Sequence, residues 1–167
     1  MKSPALSLVS TDEPADALAG YIPYMVTTFP ALDEYWPVVT PLLERCVDEA
    51  MQGEMTVDDM YAAIKAGKFI LMVMHDTSGE APDVALAMVV EVTAYPQYPV
   101  LNIIALGGRQ VDFFQSRFWS YLQGWAMICG ITVIQASVSP AMARILSRYG
   151  FVQTYTTMRI RMSGDQI

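Results

Sequence analysis

The stretch LNIIALGGRQVDFFQSRFWSYLQGWAMICGITVIQ, Leu101 to Gln135, decides the fold. It opens on a β-branched apolar run that ends in two glycines. Apolar and aromatic residues then recur at helical spacing (Phe114, Phe118, Tyr121, Leu122, Trp125, Ala126) until Gly130, after which ITVIQ turns β-like again. Strand, helix, strand is the grammar of a crossover joining two parallel strands, so the strands through Ile103 and Ile134 are expected to be parallel neighbours. A glycine turn between a strand and a helix also raises a chemical question. Unpaired amides at a helix N-terminus attract phosphate.

Working outward, KFILMVMHD (Lys68 to Asp76), DVALAMVVEVTAY (Asp83 to Tyr95) and VLNIIALGG (Val100 to Gly108) read as a three-strand meander, parted by TSGEAP and PQYP. Before them, TVDDMYAAIKAG reads as a short helix, with Thr56 and Asp59 as a capping box and Gly67 as its left-handed stop. YMVTTF (Tyr24 to Phe29) is a short strand candidate. The run ALDEYWPVVTPLLERCVDEAM is helix-like but interrupted by Pro37 and Pro41, which places the main helix from Pro41 onward. Downstream, ITVIQASV reads as a central strand, and Ser139 with Pro140 opens a helix that Gly150 closes. FVQTYTTMRIRM is an alternating final strand. Met1 to Ala19, polar and without a sustained period, reads as a loosely held arm preceding one domain over 20–167.

Composition narrows the partners. The chain has 167 residues, 53% of them hydrophobic and 16% charged, a charged share well below the roughly 25% of average soluble proteins. Apolar surface that a protein partner or a second copy covers is therefore expected, with the outer face of the Val111 to Cys129 helix, carrying Trp119, or the N-terminal arm as its seat. A net charge of −7 with scattered Lys and Arg argues against nucleic acid. Cys46, Cys129 and the single His75 give neither a disulfide framework nor a metal-site spacing, so no metal is expected; His75 reads as an exposed loop-edge residue. No apolar run reaches the roughly 18 residues of a membrane span, and no export signal opens the chain.

The element order, strand, two helices, three strands, helix, strand, helix, strand, resembles the GNAT (GCN5-related N-acetyltransferase) superfamily over about residues 24 to 162. The segments AAIKAGKFILMVM, VTAYPQYPVLNIIALGG, GWAMICGITVI and ILSRYGF further resemble a group of phage and prophage proteins of that type. The resemblance implies an α/β (α+β) fold with a mixed central sheet, helices on both faces, and parallel strands splayed around Val100–Leu106 and Ile131–Ala136. It also implies acetyl-CoA in that splay, with its pyrophosphate on a loop written Q/R-x-x-G-x-G/A. Counted back from Gly130, that loop falls on Gln110 to Gln115. Gln110 matches, while the two glycine positions hold Phe113 and Gln115. A replacement cradle would be Gly107, Gly108, Arg109, Gln110 and Val111, with Ser139 standing at the motif's Asn; alternatively the glycines only end a strand.

The superfamily's tyrosine acid aligns with Leu146. Tyr149 lies three residues on, about 300° round a helix, and is the remaining candidate. The base an ammonium needs before attack would be Glu91, set inside an apolar strand, unless it simply faces solvent. Asp112 and Glu80 read as a helix first-turn acid and a loop charge. Two functions follow from the resemblance. One is a phage-type protein with a degenerate cofactor loop that works through protein contacts, in the virion or in host cytoplasm, which the two motif losses favour. The other is an active N-acetyltransferase using acetyl-CoA. A sensor that binds acyl-CoA without turnover stands behind both.

Overall fold

The computed structural model describes residues 20–50, 53–81, 83–109, 111–160 and 162, with the side chains of 49–50 and 111–116 outside the description. The arm expected over Met1 to Ala19 therefore lies outside the described residues. In chain order the elements are β1 (Tyr21–Val26), α1 (Phe29–Ala50), α2 (Val57–Lys65), β2 (Phe69–Asp76), β3 (Asp83–Ala94), β4 (Pro99–Gly108), α3 (Val111–Ile128), β5 (Val133–Ala136) and α4 (Pro140–Ser147). The strands form one sheet in the order β1-β2-β3-β4-β5. The first three pairings are antiparallel, and β4 pairs with β5 in parallel through Leu101↔Ile134 and Ile103↔Ala136, as the α3 crossover requires. This mixed sheet, with helices on both faces, is the α/β arrangement that the sequence resemblance implies.

Two apolar layers sandwich the sheet. On one face Phe118, Leu122 and Ala126 of α3 bury against Met72, Met88, Val90, Leu101 and Ile103. On the other, Leu32, Val39 and Leu43 of α1 and Met60 and Ile64 of α2 bury against Leu71, Val73, Val89 and Ala105. Trp119 belongs to the first layer: it is buried, with its ring 5.0 Å from that of Phe151 and 6.4 Å from that of Tyr149. The expectation that Trp119 projects from an outer face is thereby corrected. The chain that follows α4 folds back on it.

Other departures from the sequence reading have local causes. β1 ends earlier than expected because Thr28 caps α1, its carbonyl accepting from Leu32 N and its hydroxyl from Ala31 N. α1 runs straight through Pro37 and Pro41. The carbonyls those prolines deprive of a donor belong to Asp33 and Pro37, both exposed residues, so the lost bonds fall where solvent can replace them. β5 is a four-residue edge strand among the described residues, not a central one. Residues 151–160 form no ladder at all.

α2 follows its local signals. Thr56 Oγ1 accepts from Asp59 N, the Asp59 carboxylate accepts from Thr56 N at 2.9 Å, and Gly67 stops the helix at φ 72°. The Thr56 hydroxyl and amide together hold the Asp59 carboxyl below the usual carboxylate range. A carboxylate depressed in the folded state stabilises it above the unfolded pKa and loses that contribution as pH falls through the folded one. Thr56→Ala is therefore expected to cost about 1 kcal/mol in urea denaturation at neutral pH. The penalty of Asp59→Ala is expected to begin shrinking below about pH 4 and to disappear only as pH falls through the lower, folded-state pKa; a penalty constant down to acid pH would mean that the ionised cap contributes nothing.

Candidate functional site: a wedge between two parallel strands

One irregularity in β4 shapes the site. Val89 pairs with Ala105 but Val90 pairs with Ile103, so Ile104 is an extra residue, a β-bulge. The bulge reverses the alternation of faces. Leu101 and Ile103 bury under α3, Ile104 and Ala105 pack toward α1, and Leu106 returns to the α3 side. The parallel pairing stops at the same place: β5 accompanies β4 from Val100 to Ile103 and no further. From Ile104 to Gly108, β4 keeps β3 as neighbour and, among the described residues, has none on its other side. The result is a wedge at the carboxyl ends of two parallel strands, where open sheets commonly receive ligands. α3 starts at Val111, three residues beyond β4, and α4 at Pro140, soon after β5. Both helix N-termini thus stand at the mouth of the wedge; the first amides of α3 have no partner within that helix, whereas α4 opens on Pro140, which has no amide hydrogen, and on the Ser139 cap.

The glycines of the turn have a packing role. A Cβ on Gly107 would meet the Leu42 carbonyl oxygen at 2.1 Å, so α1 crosses β4 only because that position is bare. A Cβ on Gly108 would meet Ala85 O at 2.4 Å and Leu86 Cα at 2.8 Å. Arg109 is engaged as well. Its amide donates to Ala85 O at 2.8 Å, and its guanidinium donates to Asp83 Oδ2 at 2.9 Å, a pairing that raises its pKa. Gln110 lies outside the described residues, and Val111 opens α3 with its side chain outside the description, as are those of Phe113 and Gln115. Ser139 caps α4, its Oγ accepting from Met142 N at 3.3 Å.

Glu91 and Tyr149 stand on opposite sides of the sheet. Tyr149 packs into the α3 layer against Trp119, while Val90, its side chain in that layer, leaves the adjacent Glu91 on the α1 face. Leu146, at the tyrosine position of the resemblance, is buried. Glu91 is half-buried and has company that the sequence reading passed over. It pairs with Asn102, and Asn102 with Gln135, giving one polar row across β3, β4 and β5 on the α1 face. Gln135 Nε2 donates to Asn102 Oδ1 at 2.5 Å, and Asn102 Nδ2 donates to Thr93 Oγ1 at 2.5 Å. The row sits one residue below the point where the strands part. Its signal was visible: Asn102 and Gln135 are the lone polar side chains in LNIIAL and VIQA.

A second polar contact lies at the far side of the sheet. His75 is half-buried on β2, not on a loop edge, with Nδ1 3.0 Å from the Tyr35 hydroxyl. Burial, then Glu34 and Tyr24, raise the Tyr35 pKa. This contact ties α1 to the sheet and is remote from the wedge. Among the described residues no group of His, Cys, Asp and Glu gathers as a metal site, and no helix is long and apolar enough to cross a membrane.

Known structures share this architecture. A GCN5-related N-acetyltransferase from Ralstonia eutropha JMP134 superposes with a TM-score of 0.63 at 14% identity, covering 86% of this chain and 100% of that one. A predicted acetyltransferase from Clostridium acetobutylicum, solved with acetyl-CoA, gives 0.62 at 10% identity, with 85% and 96% covered. Glucosamine-6-phosphate N-acetyltransferase from Arabidopsis thaliana gives 0.57 at 10%, with 85% and 99% covered. At such identities the likeness establishes the GNAT fold. No protein-family model matches the chain, and no curated protein sequence does.

The packing role of the turn is open to measurement. Gly107→Ala forces α1 off β4 and is expected to lose about 2 kcal/mol or more of stability by chemical denaturation. Wild-type stability in that variant would mean that α1 does not cross β4 at Leu42.

Proposed function

We propose that the chain binds an acyl-CoA in the β4–β5 wedge and transfers its acyl group to an amine. The single observation that carries this reading is the bulge at Ile104, where the pairing with β5 stops and, among the described residues, one edge of β4 has no strand partner from Ile104 onward. An extended ligand arm bearing amides can add to such an edge as a strand would. The first amides of α3, at the mouth of the wedge, suit its phosphates, and Ser139 stands at the opposite wall. When bound, an acyl-CoA supplies an acyl carbon activated as a thioester.

The chain's own residues have the remaining tasks. Glu91 takes the proton that an ammonium must lose before its nitrogen can attack. Asn102 and Gln135, hydrogen-bonded in the same row, fix the direction from which the amine approaches. Tyr149, held on Trp119 in the α3 layer, lies across the sheet from Glu91, so it could protonate the departing thiolate only if the ligand passes between the parted strands and presents its sulfur on that side.

A second reading is favoured by the engagement of Gly107, Gly108 and Arg109 in packing and pairing. It is a phage-type protein of the same fold, with a degenerate cofactor loop, acting through protein contacts in the virion or host cytoplasm. Titration calorimetry with acetyl-CoA separates the two. Saturable binding in the micromolar range is expected. Glu91→Gln should retain that binding while lowering the rate of CoA release with amine acceptors by about 100-fold or more. No heat up to millimolar acetyl-CoA would transfer the function to the second reading.

A further inference from the structure

The charges of this chain are sorted by side. Over its whole length 17 Asp and Glu stand against 10 Lys and Arg, yet residues 113–164 contain Arg117, Arg144, Arg148, Arg159 and Arg161 and no Asp or Glu. That stretch supplies most of α3 and all of α4. Arg144 and Arg148 stand one turn apart on α4, both exposed, and the chain runs from them directly to Tyr149 in the α3 layer. On α3 the exposed residues Arg117, Ser120, Gly124, Met127 and Ile128 fall on one stripe of the helix. Met127 and Ile128 are 75% and 88% exposed, so this side of the sheet combines arginines with bare apolar groups. Among the described side chains, α3 and α4 present no carboxylate.

The other side has the opposite sign. Along α1 the exposed residues Glu34, Pro37, Pro41, Glu44 and Asp48 lie within about a quarter turn of one another and form the outer stripe of the helix. Arg45 flanks that stripe, and α2 adds Asp58 and the Asp59 of its cap, while the Lys65 ammonium is paired with Asp33. Since α1 and α3 cover opposite faces of the sheet, the acidic and the cationic surfaces point away from each other and cannot meet within one molecule. On two molecules they are complementary in charge, and both carry apolar area: pyrrolidine rings on one, Met127 and Ile128 on the other.

We propose that the α1 stripe of one copy docks on the α3–α4 face of the next, setting Glu44 and Asp48 on Arg144 and Arg148 and covering Met127 and Ile128. Guanidinium forks suit carboxylates, and the apolar area supplies the attraction that exposed ion pairs alone do not. The net charge of −7 does not forbid the contact: at roughly 0.15 M salt, charges more than about 8 Å apart are screened, so the groups that touch decide. A foreign acidic partner would use only the arginine face, whereas a second copy uses both. The contact is heterologous, each copy keeping one face open for the next, so assembly continues beyond two chains. It is independent of what the wedge binds.

Sedimentation velocity on the full-length chain is the test. At tens of micromolar and roughly 0.15 M salt the weight-average mass is expected to rise with concentration past twice the 18.5 kDa of one chain, and to fall back toward one chain near 1 M salt. Arg144→Glu with Arg148→Glu, and separately Glu44→Arg with Asp48→Arg, are each expected to weaken association by about tenfold or more while keeping the wild-type circular dichroism. Mixed in equal amounts, the two variants are expected to associate again, because the intact acidic stripe of one meets the intact arginines of the other. Should a reversed variant fail to fold, Arg144→Gln with Arg148→Gln, or Glu44→Gln with Asp48→Asn, carries the same expectation of weakened association. A wild type that stays monomeric, a mass that stops at two chains, association indifferent to these substitutions, or a mixture that stays apart overturns the proposal.

Discussion

The extra residue at Ile104 is the constraint on which the site depends. Without it, β4 would keep one alternation from end to end, and its parallel partner could follow it to Gly108. With it, the strand turns its faces over: Leu101 and Ile103 serve the α3 layer, Ile104 and Ala105 the α1 layer. The backbone rotates away from β5 at the row where pairing ends. A bulge is held only when both layers agree with the reversed pattern, and here both do. The cores under α1 and under α3 therefore hold the bulge, and Ile103 and Ala136 of the α3 layer stand at the row where the strands part.

The glycine turn must be understood within the same constraint. Once past the bulge, β4 passes beneath the α1 backbone at Leu42 and beside β3 at Ala85 and Leu86, at separations that a single methyl group would close. Gly107 and Gly108 answer to those two neighbours. A phosphate, on the proposed reading, would then be received by the amides of α3, with the Arg109 guanidinium already committed to Asp83. This is a different division of labour from a loop whose glycines themselves approach the ligand.

What was legible in the sequence was whatever is encoded locally or by long runs. The capping box of α2, the glycine stop after it, the meander and the α3 crossover all carry their signals within a few residues of where they act. The misreadings are tertiary. Pro37 and Pro41 look like breaks until the deprived carbonyls turn out to face water. Trp119 looks exposed until Phe151 returns from after α4 to cover it. The bulge left no trace, because IIAL is apolar on both faces and a reversal of faces changes nothing in its pattern. Asn102 and Gln135 did leave one, as isolated polar residues in buried strands, but only strand register could show that they meet each other and Glu91.

The two ends of β5 bring the argument together. At its carboxyl end the strand parts from β4 and leaves the wedge; along its outer edge it lacks a partner among the described residues. A strand of four residues with one neighbour has little to hold its position. Yet it carries Gln135, whose hydrogen bond to Asn102 sets one side of the polar row, and it leads directly to Ser139 at the wedge mouth. Pairing the outer edge would restrain both.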